Sequence, residues 1–323
     1  MPQSYNSRPS LVISTSGNSD ALNVVLASIE RQWCRPGEVF VADESTDEQC
    51  ADVIQSWLPR LRCPLSRIAP ESPGTARASL FNQAVRAASG QYLIFIEGDC
   101  LLHRRFIGDH LLHANPGLFV QGRRAGVRAR YVRKISTGRF FPLVWLLRRR
   151  AYGLKHGLRR PWPSARLNDL RTVHASNFAA WREDLVRVNG FNENFDETGD
   201  ELLELALRLR NAGLTLRTVT GQAIVYHLDH RQVARYRSVH SAKVVDETRR
   251  ENIVRCQHGL TLLPAAETVQ TFAAPEAKAV PSSQDTEIPE LSAPLETVEP
   301  APSHFRDKTV PRSMLSRIVH RSS

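Results

Sequence analysis

Leu11 to Asp43 reads LVISTSGNSDALNVVLASIERQWCRPGEVFVAD, and the fold follows from how this stretch divides. Leu11–Ser14 is a short, mostly apolar run of strand type, and it ends in the polar turn Thr15-Ser16-Gly17-Asn18. Asp20–Gln32 has Leu22, Val25, Leu26 and Ile29 at the i, i+3, i+4, i+7 spacing of an amphipathic helix. Glu38–Ala42 is a second strand and runs out into Asp43-Glu44-Ser45-Thr46. Moving outward, a helix is expected over Glu48–Leu58, a strand over Leu65–Ile68, a helix over Gly74–Ala88 and an apolar strand over Tyr92–Ile96. Strands alternating with helices imply parallel pairing through right-handed crossovers, hence an open, mostly parallel α/β sheet flanked by helices. Ligands of such sheets bind beyond the carboxyl ends of the strands. Thr15, Asp43 and Glu97–Asp99 all fall at those ends, which points to a nucleotide site there.

The chain has 323 residues, 41% of them hydrophobic, enough for one large α/β domain with appendages. We expect a first half over 1–122, a basic insertion over 123–168, a second half over 169–259 and a disordered tail over 260–323. Pro, Ala, Ser, Thr and Glu dominate that tail, which is too poor in apolar residues to offset chain entropy. Its basic end carries Met314, Leu315, Ile318 and Val319 at spacings suited to a short helix or a frayed terminus.

No apolar run approaches the roughly 20 residues of a membrane span, and no secretory signal is visible at the start. The five cysteines form no C-x-x-C pair and read as reduced thiols of a cytoplasmic protein. The formal net charge of +10 is concentrated, because no acidic residue stands between Asp109 and Asp169. Arg123–Arg166 interleaves arginines with FFPLVWLL. That mixture suits an anionic membrane surface or a phosphorylated lipid-linked acceptor; a plain solvated insertion is the bland reading. Nucleic acid is not expected, since no nucleic-acid motif accompanies the charge.

Two stretches carry the chemistry. IFIEGD places Glu97 and Asp99 at a strand end, where two carboxylates separated by one glycine can share a hard divalent cation. Gly98 lets the backbone approach the ligand. Ser176–Gly213 reads SNFAAWREDLVRVNGFNENFDETGDELLELALRLRNAG, a polar turn, a short helix, an Asn-Gly-Phe loop and a second helix. The second helix has Leu202, Leu205, Ala206 and Leu209 on its apolar side. Asp200 and Glu201 at its mouth are candidates for a general base. Thr198 to Glu201 also fits a capping box, a purely structural alternative. Glu204 is expected to pair with Arg208 one turn on.

Taken together, FIEGDC, the preceding FNQAVRAASGQY, SNFAAWREDLVRVNGFNENF and VYHLDH resemble glycosyltransferase family 2 in order and spacing. The resemblance spans about Leu11 to His230 and implies a GT-A fold that builds cell-surface polysaccharide or lipopolysaccharide. It implies a nucleotide-sugar donor, UDP-linked by default, a divalent metal (Mn²⁺ or Mg²⁺) and transfer to a hydroxyl, usually with inversion. By position, Thr15 and Asp43 match the donor-base contacts, and Asn82 matches the asparagine before the metal motif. The family's arginine next to that asparagine is Phe81 here, with Arg77 one turn earlier as its substitute. Glu97 and Asp99 take the D-x-D positions, and His227 matches a histidine near the metal or diphosphate.

The departures bear on activity. Glu97 stands where aspartate is usual, and Leu202 stands at the expected general base, where it cannot take a proton. Asp200 and Glu201 are the remaining carboxylates within reach. The resemblance therefore implies a metal-dependent transferase acting on a glycan or glycolipid, at the inner face of the cytoplasmic membrane. The alternative is a degenerate transferase-fold protein that serves as a membrane-associated binding partner.

Overall fold

β1 (Ser10–Thr15) lies between β2 (Glu38–Asp43) and β4 (Tyr92–Glu97), and β3 (Leu65–Ile68) flanks β2, all in parallel. The computed structural model describes residues 8–45, 48–70, 75–127, 151–152, 157–195, 200–228, 238–261 and 270–272. Every residue of β1 is buried, which explains its unbroken apolar run: helices cover both faces of the sheet. Alternate side chains therefore serve two cores. Val12, Phe40 and Phe95 face α3 (Arg77–Ala87), α5 (Arg182–Arg187) and α6 (Glu201–Asn211). Leu11, Ile13, Val39 and Val41 face α1 (Ser19–Glu30), α2 (Gln49–Trp57) and α4 (Phe106–His113). Asn18 caps α1, its side chain accepting from the Ala21 amide at 3.1 Å.

The strand–helix alternation expected from Leu11 to Ile96 is present, with ends shifted by a few residues. The second half departs from it. β10 (Asn177–Trp181) enters antiparallel between β4 and β6 (Leu118–Gln121). β11 (Thr215–Thr220) runs parallel to β6, and β9 (Ser164–Leu167) closes that edge antiparallel. NFAAW reads as part of a turn leading to a helix, yet all five residues are buried strand. A short apolar run has no periodicity to separate the two states.

A second sheet orders β5 (Cys100–Leu102), β12 (Ile224–Leu228), β7 (Arg123–Val127) and β8 (Ala151–Tyr152). Both described ends of the basic stretch are thus integral strands, β7 and β9. Residues 128–150 and 153–156 lie outside the described residues, as do Met314 to Val319. The 260–323 segment needs one correction: β13 (Gln270–Phe272) pairs antiparallel with β3. Edge pairing uses backbone groups, so a composition poor in apolar residues does not forbid it. The elements through β13 belong to one unit ending at Glu276; the unit 277–323 lies outside the described residues.

α7 (Val239–Arg250) packs on α6, with Val245 against Leu207. Below it Glu204 and Arg208 form the expected pair, wholly buried, with both contacts at 2.7 Å. The Arg208 guanidinium also donates to the Val188 carbonyl at 2.6 Å.

The loop between α5 and α6 is held tightly. Asn189 and Gly190 both take left-handed backbone, at φ 69° and 70°. Any side chain on Gly190 would collide with Asn82 Oδ1 and come within 2.6 Å of Leu260 Cγ. Gly190→Ala is expected to destabilise the protein by roughly 2–4 kcal/mol, combining left-handed strain with overpacking. A urea midpoint that does not move would contradict this.

Candidate active site

The carboxyl ends of β1, β2 and β4 converge on one polar rim. β4 ends at Glu97, and the turn Gly98-Asp99 carries the chain into β5. The Gly98 amide donates to the Ser14 carbonyl at 2.7 Å, and a Cβ at Gly98 would sit 3.0 Å from that oxygen and from Thr15 Cβ. The turn thus lies flat on the end of β1, beside the buried Thr15.

β12 brings His227 to the same place, because it pairs opposite Cys100 of β5. The Leu228 amide donates to the Asp99 carbonyl at 2.8 Å, which fixes the register. His227 Nε2 lies 3.2 Å from Asp99 Oδ2. One ligand atom each from Glu97, Asp99 and His227 falls within 4.8 Å of the others. Two carboxylates and an imidazole make a donor set that fits a divalent ion such as Mn²⁺. Cys100 supports the cluster: its thiol donates to Asp99 Oδ1 at 3.4 Å. Burial, then the charges of Asp99 and Glu97, hold that thiol well above its ordinary pKa, so it stays a protonated donor.

Arg77 opens α3 and is almost fully buried. Its Nε donates to Glu201 Oε1 at 2.7 Å, and its Nη2 reaches the same oxygen. Glu97 Oε1 lies 4.0 Å from Nη1. Burial lowers the guanidinium pKa, but the charges of Glu201, Glu44 and Glu97 outweigh it and hold the value above normal. Arg77 therefore links the metal-type cluster to the mouth of α6.

The structure spreads the remaining sequence-derived residues unevenly. Asp43 is wholly buried and accepts from Arg67 Nε at 3.1 Å, Ser45 N at 3.1 Å and Ser45 Oγ at 2.7 Å; Arg67 Nη2 lies 2.9 Å away. These contacts match the roughly four lone-pair positions of a carboxylate, so this conformation leaves little for a nucleobase. Asn82 is wholly buried too. Its amide donates to the Phe191 carbonyl and Glu193 Oε1 at 2.8 and 2.6 Å and accepts from the Phe191 amide. Asn82 thus clamps the Asn-Gly-Phe loop.

At α6 the helix begins at Glu201, and Asp200 sits at the N-cap with no side-chain cap bond. Thr198 lies outside the described residues. Glu201 is 1% exposed, and Leu202 is packed in the core at 2%.

Two family models match end to end. Glycosyl transferase family 2 covers residues 10–165, and the N-terminal domain of galactosyltransferase covers 167–231. Residues 10–165, just under half of the chain, thus match glycosyl transferase family 2. It is 29% identical over 222 residues to a validoxylamine A glucosyltransferase of Streptomyces hygroscopicus subsp. limoneus, covering 64% of this chain and 49% of that protein. The same enzyme from subsp. jinggangensis is 28% identical, at 64% and 52% coverage. The chain thus spans about half the length of the curated relatives it matches. S. aureus TarS 1-349, solved with UDP-GlcNAc, shares the fold at TM-score 0.54 and 16% identity, over 78% of this chain and 68% of that one.

Beside the matched segment, three further residues that sequence reasoning missed join the rim. Arg124 Nη1 donates to Ser176 Oγ at 3.2 Å, and His174 Nδ1 lies 3.2 Å from the same hydroxyl. Burial, then Arg124 and Arg123, push His174 down to about 3, so it is neutral at physiological pH. Arg124 registered only as part of a charge count, and nothing around His174 formed a motif.

His110, between Asn177 and Phe106, is likewise pushed down to about 4 by burial. The unfolded chain takes up this proton near pH 6.5 and the folded chain only near 4, so stability is lost as pH falls through that window. The melting temperature is expected to drop between pH 7 and 5, and less steeply in His110→Gln. Equal slopes would remove His110 as the cause.

Proposed function

We propose that this chain transfers a hexose from a nucleotide sugar, UDP-linked, to a hydroxyl of a cell-surface glycan or glycolipid, with inversion and with a divalent metal. The observation that carries the reading is the Glu97–Asp99–His227 cluster at the carboxyl ends of the parallel strands. When bound there, the metal would neutralise charge on the departing diphosphate. The glucosyltransferase relatives support a hexose donor, and UDP is the first nucleotide to test because TarS was solved with UDP and with UDP-GlcNAc.

The chain's own residues divide the remaining work. Gly98 and Thr15 give the donor a flat floor. Arg77 holds Glu97 and Glu201 in place as a positioning residue. An inverting transfer needs a base within hydrogen-bond reach of the acceptor hydroxyl. Leu202 cannot supply it, and buried Glu201 is engaged by Arg77. Asp200 is only partly buried at the mouth of α6, so we assign it the base. Glu201 becomes the anchor that fixes the helix end.

A second reading has its own observation. Leu202 fills the core at the position where the family places its base, which suits a chain that binds donor without turnover. A thermal-shift titration with UDP, GDP and dTDP, with and without Mn²⁺, tests donor binding. A metal-dependent rise with UDP is expected; no rise with any nucleotide would sink both readings. Hydrolysis or transfer of a UDP-hexose then separates an active enzyme from a degenerate one.

Membrane contact through Arg123–Arg166 is also proposed, though its described arginines are partly engaged internally. Arg159 is paired with Asp109 at 2.7 Å, and Arg166 lies 3.7 Å from Asp169. No helix among the described residues is long and apolar enough to cross a membrane.

A further inference from the structure

A cavity of about 490 Å³ lies on the opposite edge of the sheet from Glu97 and Asp99. Its walls come from the chain between α1 and β2 and from the chain between α2 and β3, so it opens at the amino ends of those strands. The length of the six-residue β2 puts it about 20 Å from the rim described above.

Arg31, Arg35, Arg60 and Arg62 line the cavity, with Pro36 and Leu61 as apolar wall. The acid among its lining residues is Glu30, which Arg60 engages at 3.4 Å. Arg60 also lies over the Trp57 ring, 3.7 Å from its centroid, so its guanidinium is held in position. Cys63 in the wall registers the same field. Burial pushes its thiol up to about 11, while Arg35 and Arg8 pull it down.

The bland account is that these arginines answer helix ends. α1 and α2 both terminate here without a basic residue in the last turn. Each end carries about half a negative charge, so together with Glu30 they offset about two of the four positive charges. About two positive charges then face a concave, partly apolar space. Guanidinium forks match phosphate oxygens in pairs, which is the recognition such a space provides.

We infer that this cavity is a second anion site, which takes a phosphate ester or diphosphate. The inference rests on the cavity itself and is independent of the donor-site reading. Two sources carry that chemistry, a soluble phosphate compound and the headgroup of an anionic phospholipid. The second has support from the same loop: Trp33 is 58% exposed, with Arg104 and Arg105 at 4.9 and 4.0 Å from its ring.

The test uses the full chain and inorganic pyrophosphate, followed by calorimetry in EDTA. Wild type is compared with the Arg35→Ala/Arg62→Ala double variant, and the UDP–Mn²⁺ thermal shift reports on the other edge. The double variant is expected to bind pyrophosphate at least tenfold more weakly, with an unchanged UDP–Mn²⁺ response, and added NaCl should weaken wild-type binding. Equal binding by both proteins, or none by wild type, overturns the inference. Should the double variant fold poorly, Arg62→Glu at an exposed position must show the same loss, and its retention of binding is equally fatal. Sedimentation with phosphatidylcholine vesicles, with and without phosphatidylglycerol, separates the sources. Phosphatidylglycerol-dependent binding that the double variant loses identifies a lipid headgroup; pyrophosphate binding without vesicle binding identifies a soluble phosphate.

Discussion

Asp99→Asn is expected to lower turnover of a UDP-hexose by roughly 10³-fold or more while leaving the fold intact. The size follows from what the metal would supply, several kcal/mol of charge stabilisation on the leaving diphosphate, at about 1.4 kcal/mol per factor of ten. Asp99 lies 3.2 Å from His227 and is partly exposed, so its amide analogue leaves no deeply buried charge unpaired. The melting temperature without ligand should therefore hardly move, whereas the Mn²⁺-dependent rise with UDP should vanish. Glu97→Gln should be milder, because Glu97 also faces Arg77 and has one more methylene to reposition. A fully active Asp99→Asn enzyme would remove the metal cluster from the mechanism.

The parallel half of the fold was legible because its strands are short apolar runs separated by helices of clear 3.6-residue period. Chain order then leaves few topologies. The second half was less so. β10 joins the sheet antiparallel through a five-residue run, four of them apolar, that sequence alone does not separate from a helix, and β13 pairs through backbone from a segment of polar composition. At the site, Glu97, Asp99 and His227 were read correctly as neighbours, through motif order rather than any local signal for the 130-residue separation. What the sequence could not disclose is which polar groups are already satisfied. Asn82 and Asp43 have the right chemistry for a ligand, yet their bonding capacity goes to the Asn-Gly-Phe loop and to Arg67 and Ser45. Arg77 opens the expected helix, but its ion pair with Glu201 spans 124 residues and leaves no local trace in the sequence.

That ion pair yields the second large effect, a division of labour between two adjacent acids. Glu201→Gln removes the charge that balances a nearly buried guanidinium, and breaking such a pair on one side costs about 3–5 kcal/mol. For a domain of this size that is a fall in melting temperature of roughly 6–20 °C. Asp200→Asn, at a partly exposed position, should cost less stability than Glu201→Gln. Its turnover should nevertheless fall by roughly 10²–10⁴, the usual contribution of a positioned base. The two variants are thus expected to separate cleanly, one losing stability and the other kcat with KM for the donor unchanged. The converse pattern, a stable but inactive Glu201→Gln beside an active Asp200→Asn, would transfer the base to Glu201 and require Arg77 to release it on acceptor binding. Full activity in both variants, with Asp99→Asn inactive, would mean that the acceptor proton leaves without either acid. In that case Leu202 at the family's base position would mark a real change in mechanism.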